Sequence, residues 1–326
     1  MAQGKLKVAV LYGGQSGEHE VSLMSAESVM AHLDRQKYDL TPVLISRQGE
    51  WSLPMESLRQ FDVVFPVLHG PMGEDGTVQG LLTLLGVPFV GAGVVGSAVG
   101  MDKAIFKDVM RAHHLPVVAY RVVRHREWVT QPEGVMASVM DELGLPCFVK
   151  PANMGSSVGI TKVKTISEFS AAMAEAFTWD RKVLVEQAVP HARELEVSVL
   201  GNDELQASVV GEVVPSREFY DYAAKYLDKG ASASKLHIPA PIATEVAERA
   251  RALALRAAEA TEARGMARVD FLMNAESGEV FINEINTIPG FTDISMYPKL
   301  WAASGLAYED LLDRLISLAL EAHRHG

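Results

Sequence analysis

The sequence predicts an α/β (α+β) chain: a doubly wound parallel sheet in its N-terminal third, followed by antiparallel strand pairs. Two observations predict this. Between Lys7 and Val90 short apolar runs alternate with segments of helical spacing, a βαβα rhythm. Further on, strand-like runs follow each other across short turns, ending in Met266–Gly290, MARVDFLMNAESGEVFINEINTIPG, which reads as a β-hairpin. At 326 residues the chain is too long for one ordinary core, so two or three domains are expected.

Composition narrows the class. Hydrophobic residues make up 48% of the chain, enough for a globular protein. The net charge of −11 argues against general nucleic-acid binding. Cys147 is the only cysteine, so no internal disulfide forms and a reducing, cytoplasmic compartment fits. Glycines interrupt the opening MAQGKLKVAVLYGG, which therefore lacks a signal-peptide h-region. No run of eighteen apolar residues predicts a membrane span.

Lys7–Tyr12 is an apolar run entering Gly13-Gly14, as a buried parallel strand enters a tight turn, and Ser22–Leu33 has helical spacing. Between them lie Glu18 and Glu20. Acids at the carboxyl end of a strand sit where open α/β sheets bind ligands; equally, they complement a helix dipole. Val63–His69 is the next apolar strand, Gly76–Leu85 a helix and Pro88–Val90 a third strand. His69 ends its strand at a prospective cleft, although a lone histidine is more often structural. Gly91-Ala92-Gly93-Val94-Val95-Gly96 is a literal G-x-G-x-x-G, but Leu115–Val123 lacks the acid a dinucleotide site needs, so it reads as a tight strand–helix turn.

Asp102–His113 is a helix. Strands follow at Pro116–Val123 and Pro146–Lys150, with a helix over Pro132–Leu143 between them. Lys150 ends an apolar strand, Cys147-Phe148-Val149-Lys150-Pro151, a poor place for a solvated lysine, and Lys103 stands out with it as a functional cation. In Asn153–Gly159 small residues at Gly155, Ser156 and Ser157, followed by Val158, allow backbone N–H groups to cradle an anion; a plain hairpin turn has the same composition. Ser167 is the expected N-cap of a helix to Phe177. Val183–Glu186, Glu194–Val199 and Leu205–Val214 are strands, Thr244–Arg264 and Tyr308–His323 helices, and Phe219–Tyr226 lies in a long connection of lid character. In the hairpin, pairing Ala275 with Glu279 sets Asp270 opposite Glu284 and Arg268 opposite Asn286, with Val269, Phe271, Phe281 and Ile285 on the core face. A hard cation between facing acids would remove their repulsion; a solvated edge hairpin is the alternative.

Taken together these motifs resemble those of the D-alanine–D-alanine ligase family of ATP-grasp enzymes. The resemblance runs nearly end to end. It rests on Gly13-Gly14-x-Ser16-x-Glu18-x-Glu20-Val21-Ser22, His69-Gly70-x-x-Gly73-Glu74-Asp75-Gly76 and Met101-Asp102-Lys103. It continues through Val149-Lys150-Pro151, Gly155-Ser156-Ser157-Val158-Gly159 and Tyr220-Asp221-Tyr222-x-x-Lys225-Tyr226. It closes with Arg268-Val269-Asp270 and Asn283-Glu284-Ile285-Asn286-Thr287-x-Pro289-Gly290. The resemblance implies an ATP-grasp fold with an N-terminal doubly wound domain, 1–101, holding the first D-alanine. Domains 102–190 and 191–326 would clamp ATP.

It also implies ATP as co-substrate with two magnesium ions, or manganese, on Asp270, Glu284 and Asn286. Lys103, Lys150 and Lys225 would meet phosphate oxygens under the Gly155–Val158 backbone. Arg268 and the Gly290 N–H would stabilise the acyl phosphate and oxyanion. Glu18, oriented by Ser156 and Tyr226, would anchor the first D-alanine, with His69 in second rank, and Ser295 and Met296 would hold the second. Glu186, Val189 and Glu196 would meet adenine and ribose, less securely because Pro190–Glu194 is longer than in the shortest members. A homodimer is expected. Rivals are another ATP-grasp ligase, such as one making D-alanyl-D-lactate, a nicotinamide-dependent oxidoreductase built on Gly91–Gly96, and a nucleotide sensor without turnover.

Overall fold

The computed structural model describes residues 4–215, 234–292 and 294–325. The expected connection around Tyr220–Tyr226, with Lys225 and Tyr226, lies outside them. The first sheet is parallel. β1 (Leu6–Gly13) is central, with β2 (Tyr38–Ile45) and β3 (Val63–Pro66) on its flanks and α1 (His19–His32) after β1. Val8 to Leu11 are fully buried, as expected for a strand covered on both faces. β2 is not marked by any period in the sequence. Its YDLTPVLI mixes polar residues and a proline with apolar ones, and Pro42 is tolerated because β2 is an edge strand. The expected third strand is reduced to one parallel bridge between Val64 and Phe89.

α2 (Thr77–Leu85), α3 (Val94–Met101) and α4 (Lys103–Ala112) lead out of this sheet. Two of the G-x-G-x-x-G glycines pack closely: a Cβ on Gly96 would stand 2.5 Å from the Glu262 carbonyl oxygen, and one on Gly265 would stand 3.2 Å from Gly91 Cα. The segment thus seats α3 against the turn that precedes a distant strand.

The second sheet is antiparallel, ordered β4-β7-β5-β6, from β4 (Tyr120–Arg124), β5 (Cys147–Pro151), β6 (Thr161–Val163) and β7 (Lys182–Gln187). Helices α5 (His125–Thr130), α6 (Pro132–Glu142) and α7 (Ile166–Trp179) connect these strands. The N-cap of α7 is Thr165, not Ser167, because Thr165 and Glu168 form a reciprocal capping box one turn apart.

The third sheet is also antiparallel, ordered β10-β9-β8-β11-β12. Its strands are β8 (Ala192–Gly201), β9 (Gln206–Val214), β10 (Lys235–His237), β11 (Gly265–Asn274) and β12 (Val280–Asn286), and α8 (Thr244–Ala260) packs on it. Arg268 faces Asn286 and Asp270 faces Glu284, as the hairpin reading requires. The route to that register differs. The turn closes with the Asn274 N–H donating to the Glu279 carbonyl at 2.9 Å, so Glu279 meets the residue before the expected Ala275 and the loop is one residue longer. A bulge between Asp270 and Phe271 then restores the offset. The correction changes a face: Val280 and Ile282 enter the core, whereas Phe281 does not. Gly278 takes the left-handed conformation expected of it, φ 70°.

α9 (Met296–Ala303) and α10 (Tyr308–His325) end the chain. They return to the first sheet, where Tyr297, Trp301, Leu311 and Leu315 share one core with Val8, Val10 and Phe65. Among the described residues no helix is long and apolar enough to cross a membrane.

Candidate active site

Two cavities open between the sheets. One, about 340 Å³, lies where the first sheet meets the third, and Glu18, His69, Glu74, Arg268, Gly290 and Ser295 line it. The other, about 700 Å³, lies between the two antiparallel sheets and is lined by Phe148, Lys150, Val189, Glu194 and Asp270 among others. Lys103, Gly155, Ser156, Glu196 and Glu284 line both, so the cavities meet along one charged strip.

The acids of the α1 loop divide between the two roles their sequence left open. Glu20 turns to the surface and pairs with Arg47 at 2.5 Å. Glu18 is buried, and its carboxylate lies against two glycines, since a Cβ on Gly70 or Gly155 would stand 2.7 or 2.8 Å from its Oε2. Its other oxygen accepts a hydrogen bond from Ser156 Oγ, which joins positions 138 apart in the chain. Ser156 and Ser157 hold this loop in left-handed conformations, φ 48° and 60°, uncommon for residues with a Cβ. Such strain is found where a loop is shaped for binding.

His69 lines the first cavity, its Nε2 3.1 Å from Ser25 Oγ, and burial lowers its pKa. Glu74 accepts from the Gly70 N–H at 2.6 Å. Enclosure first, and the Glu18 charge second, push its carboxyl up to about 8. On the facing wall the Ser295 hydroxyl meets Thr292, accepting from its N–H at 3.0 Å. Met296 also lines the cavity but packs its thioether end over Gly211. Gly290 lies close beneath, where a Cβ would be 2.7 Å from Ser295 Oγ.

Arg268 is the hub of the charged strip. Its guanidinium donates to Asp270 at 2.7 and 2.6 Å, and its Nε lies 2.9 Å from Glu196 Oε2. Burial disfavours the charge, but Asp270 and Glu196 outweigh that and raise its pKa well above the usual value. Asn286 Nδ2 donates to Asp270 at 3.0 Å. Lys103 Nζ donates to the Met154 carbonyl at 2.9 Å and lies 3.3 Å from Glu284, which ties the Gly155 loop to the hairpin. The β-bulge sets Asn283 and Glu284 side by side in the cleft wall. Among the described residues no group of three His, Cys or acidic side chains closes around a metal position. The set present, two carboxylates and a carboxamide in Asp270, Glu284 and Asn286, fits magnesium, which is commonly held by one or two carboxylates plus substrate phosphates.

Three further residues, not singled out by their sequence context, take part in these clusters. Glu74 sits within the His69–Gly76 motif, and its acid type was the available signal. Glu194 lines the outer cleft two residues from Glu196 on the same strand face, while Glu196 itself is taken up by Arg268. Lys107 is fully buried, 2.9 Å from Glu186 Oε1, and Glu186 Oε2 is bound by Lys150. Burial pushes Glu186 up, but the two ammonium groups outweigh it and hold its pKa at about 2. The signal for Lys107 was its place one turn after Lys103 on an otherwise apolar helix face.

A family model described as D-ala D-ala ligase C-terminus matches residues 109–317, and one described as D-ala D-ala ligase N-terminus matches 7–59 and 52–92. A D-alanine–D-alanine ligase of Deinococcus radiodurans is 52% identical, over 97% of this chain and 99% of the relative. One from a Thermoanaerobacter species is 49% identical, over 98% of each. Among solved structures, the D-alanine–D-alanine ligase of Coxiella burnetii is similar with TM-score 0.87 and 36% identity, covering 99% of this chain and 96% of that one. The VanG D-Ala:D-Ser ligase of Enterococcus faecalis is similar with TM-score 0.85 and 36% identity, covering 97% and 100%.

Proposed function

From the premise that the chain belongs to the D-alanine–D-alanine ligase family, we infer that it joins two D-alanines into D-alanyl-D-alanine in an ATP-dependent ligation, for peptidoglycan precursor synthesis. The observation that carries the assignment of sites is the meeting of two cavities along Lys103, Gly155, Ser156, Glu196 and Glu284. A nucleotide in the larger cavity would direct its terminal phosphate at an amino acid in the smaller one. The family matches over both halves of the chain, and the missing acid after the Gly91–Gly96 turn, speak against the oxidoreductase alternative.

A carboxylate resists amine attack because oxide is a very poor leaving group. Transfer of the ATP γ-phosphoryl group to the carboxylate of the first D-alanine releases ADP and makes phosphate the leaving group. The second D-alanine's amine then attacks the acyl phosphate, and the tetrahedral species collapses to dipeptide and phosphate. Both steps gather anions, so the protein's part is position and charge. Glu18, steadied by Ser156, would hold the first ammonium group. Arg268 and the Gly290 N–H would face the acyl phosphate and the oxyanion. Ser295 and Met296 would take the second carboxylate, with His69 closing the cavity floor. Lys103 and Lys150, with Lys225, would bind phosphate oxygens under the backbone of Gly155, Ser157 and Val158.

Asp270, Glu284 and Asn286 would hold magnesium or manganese, which supplies charge neutralisation between the phosphates. Val189, Glu194 and Glu196 all line the larger cavity, but Glu196 is paired with Arg268, which supports Glu194 as the ribose partner. The three sheets support domains 1–101, 102–190 and 191–326, and ATP use supports a cytoplasmic site of action.

The test is ADP release with D-alanine, L-alanine, D-lactate or no addition. Only D-alanine is expected to stimulate, and Glu18→Gln is expected to abolish that stimulation while ATP binding stays within twofold. D-alanine-dependent release that survives the substitution would remove Glu18 from the first amino-acid site.

A further inference from the structure

Lys107 does not line either cavity, yet it shares one buried carboxylate with a residue that does. It lies on α4, one turn beyond Lys103, and is 0% exposed. Its Nζ is 2.9 Å from Glu186 Oε1. The other oxygen, Oε2, is bound by Lys150, whose side chain forms part of the wall of the larger cavity. Glu186 is itself buried and bonds no third cation among the described residues. With both lysines protonated the cluster has two ammonium groups for one carboxylate and a net charge of +1; burial, ahead of the attraction of Glu186, lowers the Lys107 pKa from its ordinary value.

That excess decides what Lys150 can offer a phosphate. With Glu186 alone as its partner, Lys150 would belong to a neutral ion pair, and its field at the cavity would be largely cancelled at short range. Lys107 engages the same carboxylate from behind, out of reach of any ligand, and leaves one positive charge uncompensated beside the cleft. Desolvating three charges is expensive, and an apolar cluster would serve stability as well or better. The arrangement makes sense if the charge acts on something outside the cluster.

We propose that Lys107 is a positioning residue for nucleotide phosphate: a buried counter-charge that occupies Glu186 so that Lys150 keeps its positive charge available to the cleft. The proposal rests on the reading that Lys150 meets phosphate oxygens. Removing one unit charge across roughly 10 Å at an effective dielectric near 20 weakens a phosphate contact on the order of tenfold.

The test compares binding of MgADP and of adenosine to the full chain by calorimetry, for the parent, Lys107→Met, Lys107→Gln and Lys150→Met. Both Lys107 variants are expected to weaken MgADP about tenfold and leave adenosine within twofold. Equal weakening of both ligands would overturn the proposal, because it marks a general deformation of the cleft. Unchanged MgADP affinity in whichever Lys107 variant folds would also overturn it. If Lys150→Met leaves MgADP affinity intact, the phosphate role of Lys150 fails, and the proposal fails with it. Loss in Lys150→Met without loss in the Lys107 variants would remove Lys107 alone.

Discussion

Replacing Arg268 with methionine tests the charged strip most directly. The guanidinium makes two hydrogen bonds to Asp270, at 2.7 and 2.6 Å, and an ion pair with Glu196 at 2.9 Å. The Arg268 side chain is 17% exposed and that of Glu196 10%. Methionine keeps much of the volume but leaves Asp270, Glu196 and Glu284 facing one another. Removing one partner of a buried pair costs about 3–5 kcal/mol. The lower end applies here, because Asp270 retains the Asn286 amide at 3.0 Å and the cavity admits some solvent. About 3 kcal/mol corresponds to a fall in Tm of roughly 6–12 °C for the unit that melts. The assay is thermal unfolding with chelator and no nucleotide, repeated with magnesium chloride. The variant is expected to melt lower in chelator and to gain more from magnesium than the parent, whose Asp270 is already held. Dipeptide formation should fall by a factor of about 10² or more, the scale of losing an oxyanion partner. A variant that melts with the parent in chelator would refute the view that Arg268 balances these acids.

Two further outcomes follow from the geometry. Glu74 has a folded pKa of about 8 against an ordinary value of 4.5, so between those pH values the folded chain binds more protons than the unfolded one. Stability from this carboxyl is therefore greatest below pH 4.5 and is lost as pH rises towards 8; Glu74→Gln should flatten that slope in denaturant titrations from pH 5 to 8, and an unchanged slope would clear Glu74 of the effect. Gly96→Ala should lower Tm by several degrees while leaving the KM for ATP within twofold, since a Cβ there meets the Glu262 carbonyl at 2.5 Å; a large change in nucleotide affinity with normal stability would restore a ligand role for that turn.

The chain's local patterns were legible wherever one period dominates a segment. The apolar runs of β1 and β3, the spacing of α4 and α6 and the pairing of Arg268 with Asn286 follow from side chains that alternate or recur within a few residues. The hairpin register rests on two offsets of one residue that cancel: the turn is one residue longer than its composition suggests, and the bulge, which has no periodic signature, takes the extra residue up. The strand β2 was missed because Pro42 and its polar neighbours break the alternation that marks a strand, and an edge position tolerates that break.

Residue types, their spacing and their resemblance to known motifs determined the fold class, the acidic hairpin, the lysines at strand and helix ends and the family. Tertiary structure decided which of Glu18 and Glu20 faces the cavity, that Glu196 binds Arg268, that α10 covers the first sheet and that Lys107 and Lys150 share Glu186. The reason is distance along the chain. Ser156 and Glu18 are 138 positions apart, and Lys150 and Glu186 are 36. No local period relates such pairs; each partner is selected by how whole sheets pack, and burial then strongly favours contact between opposite charges.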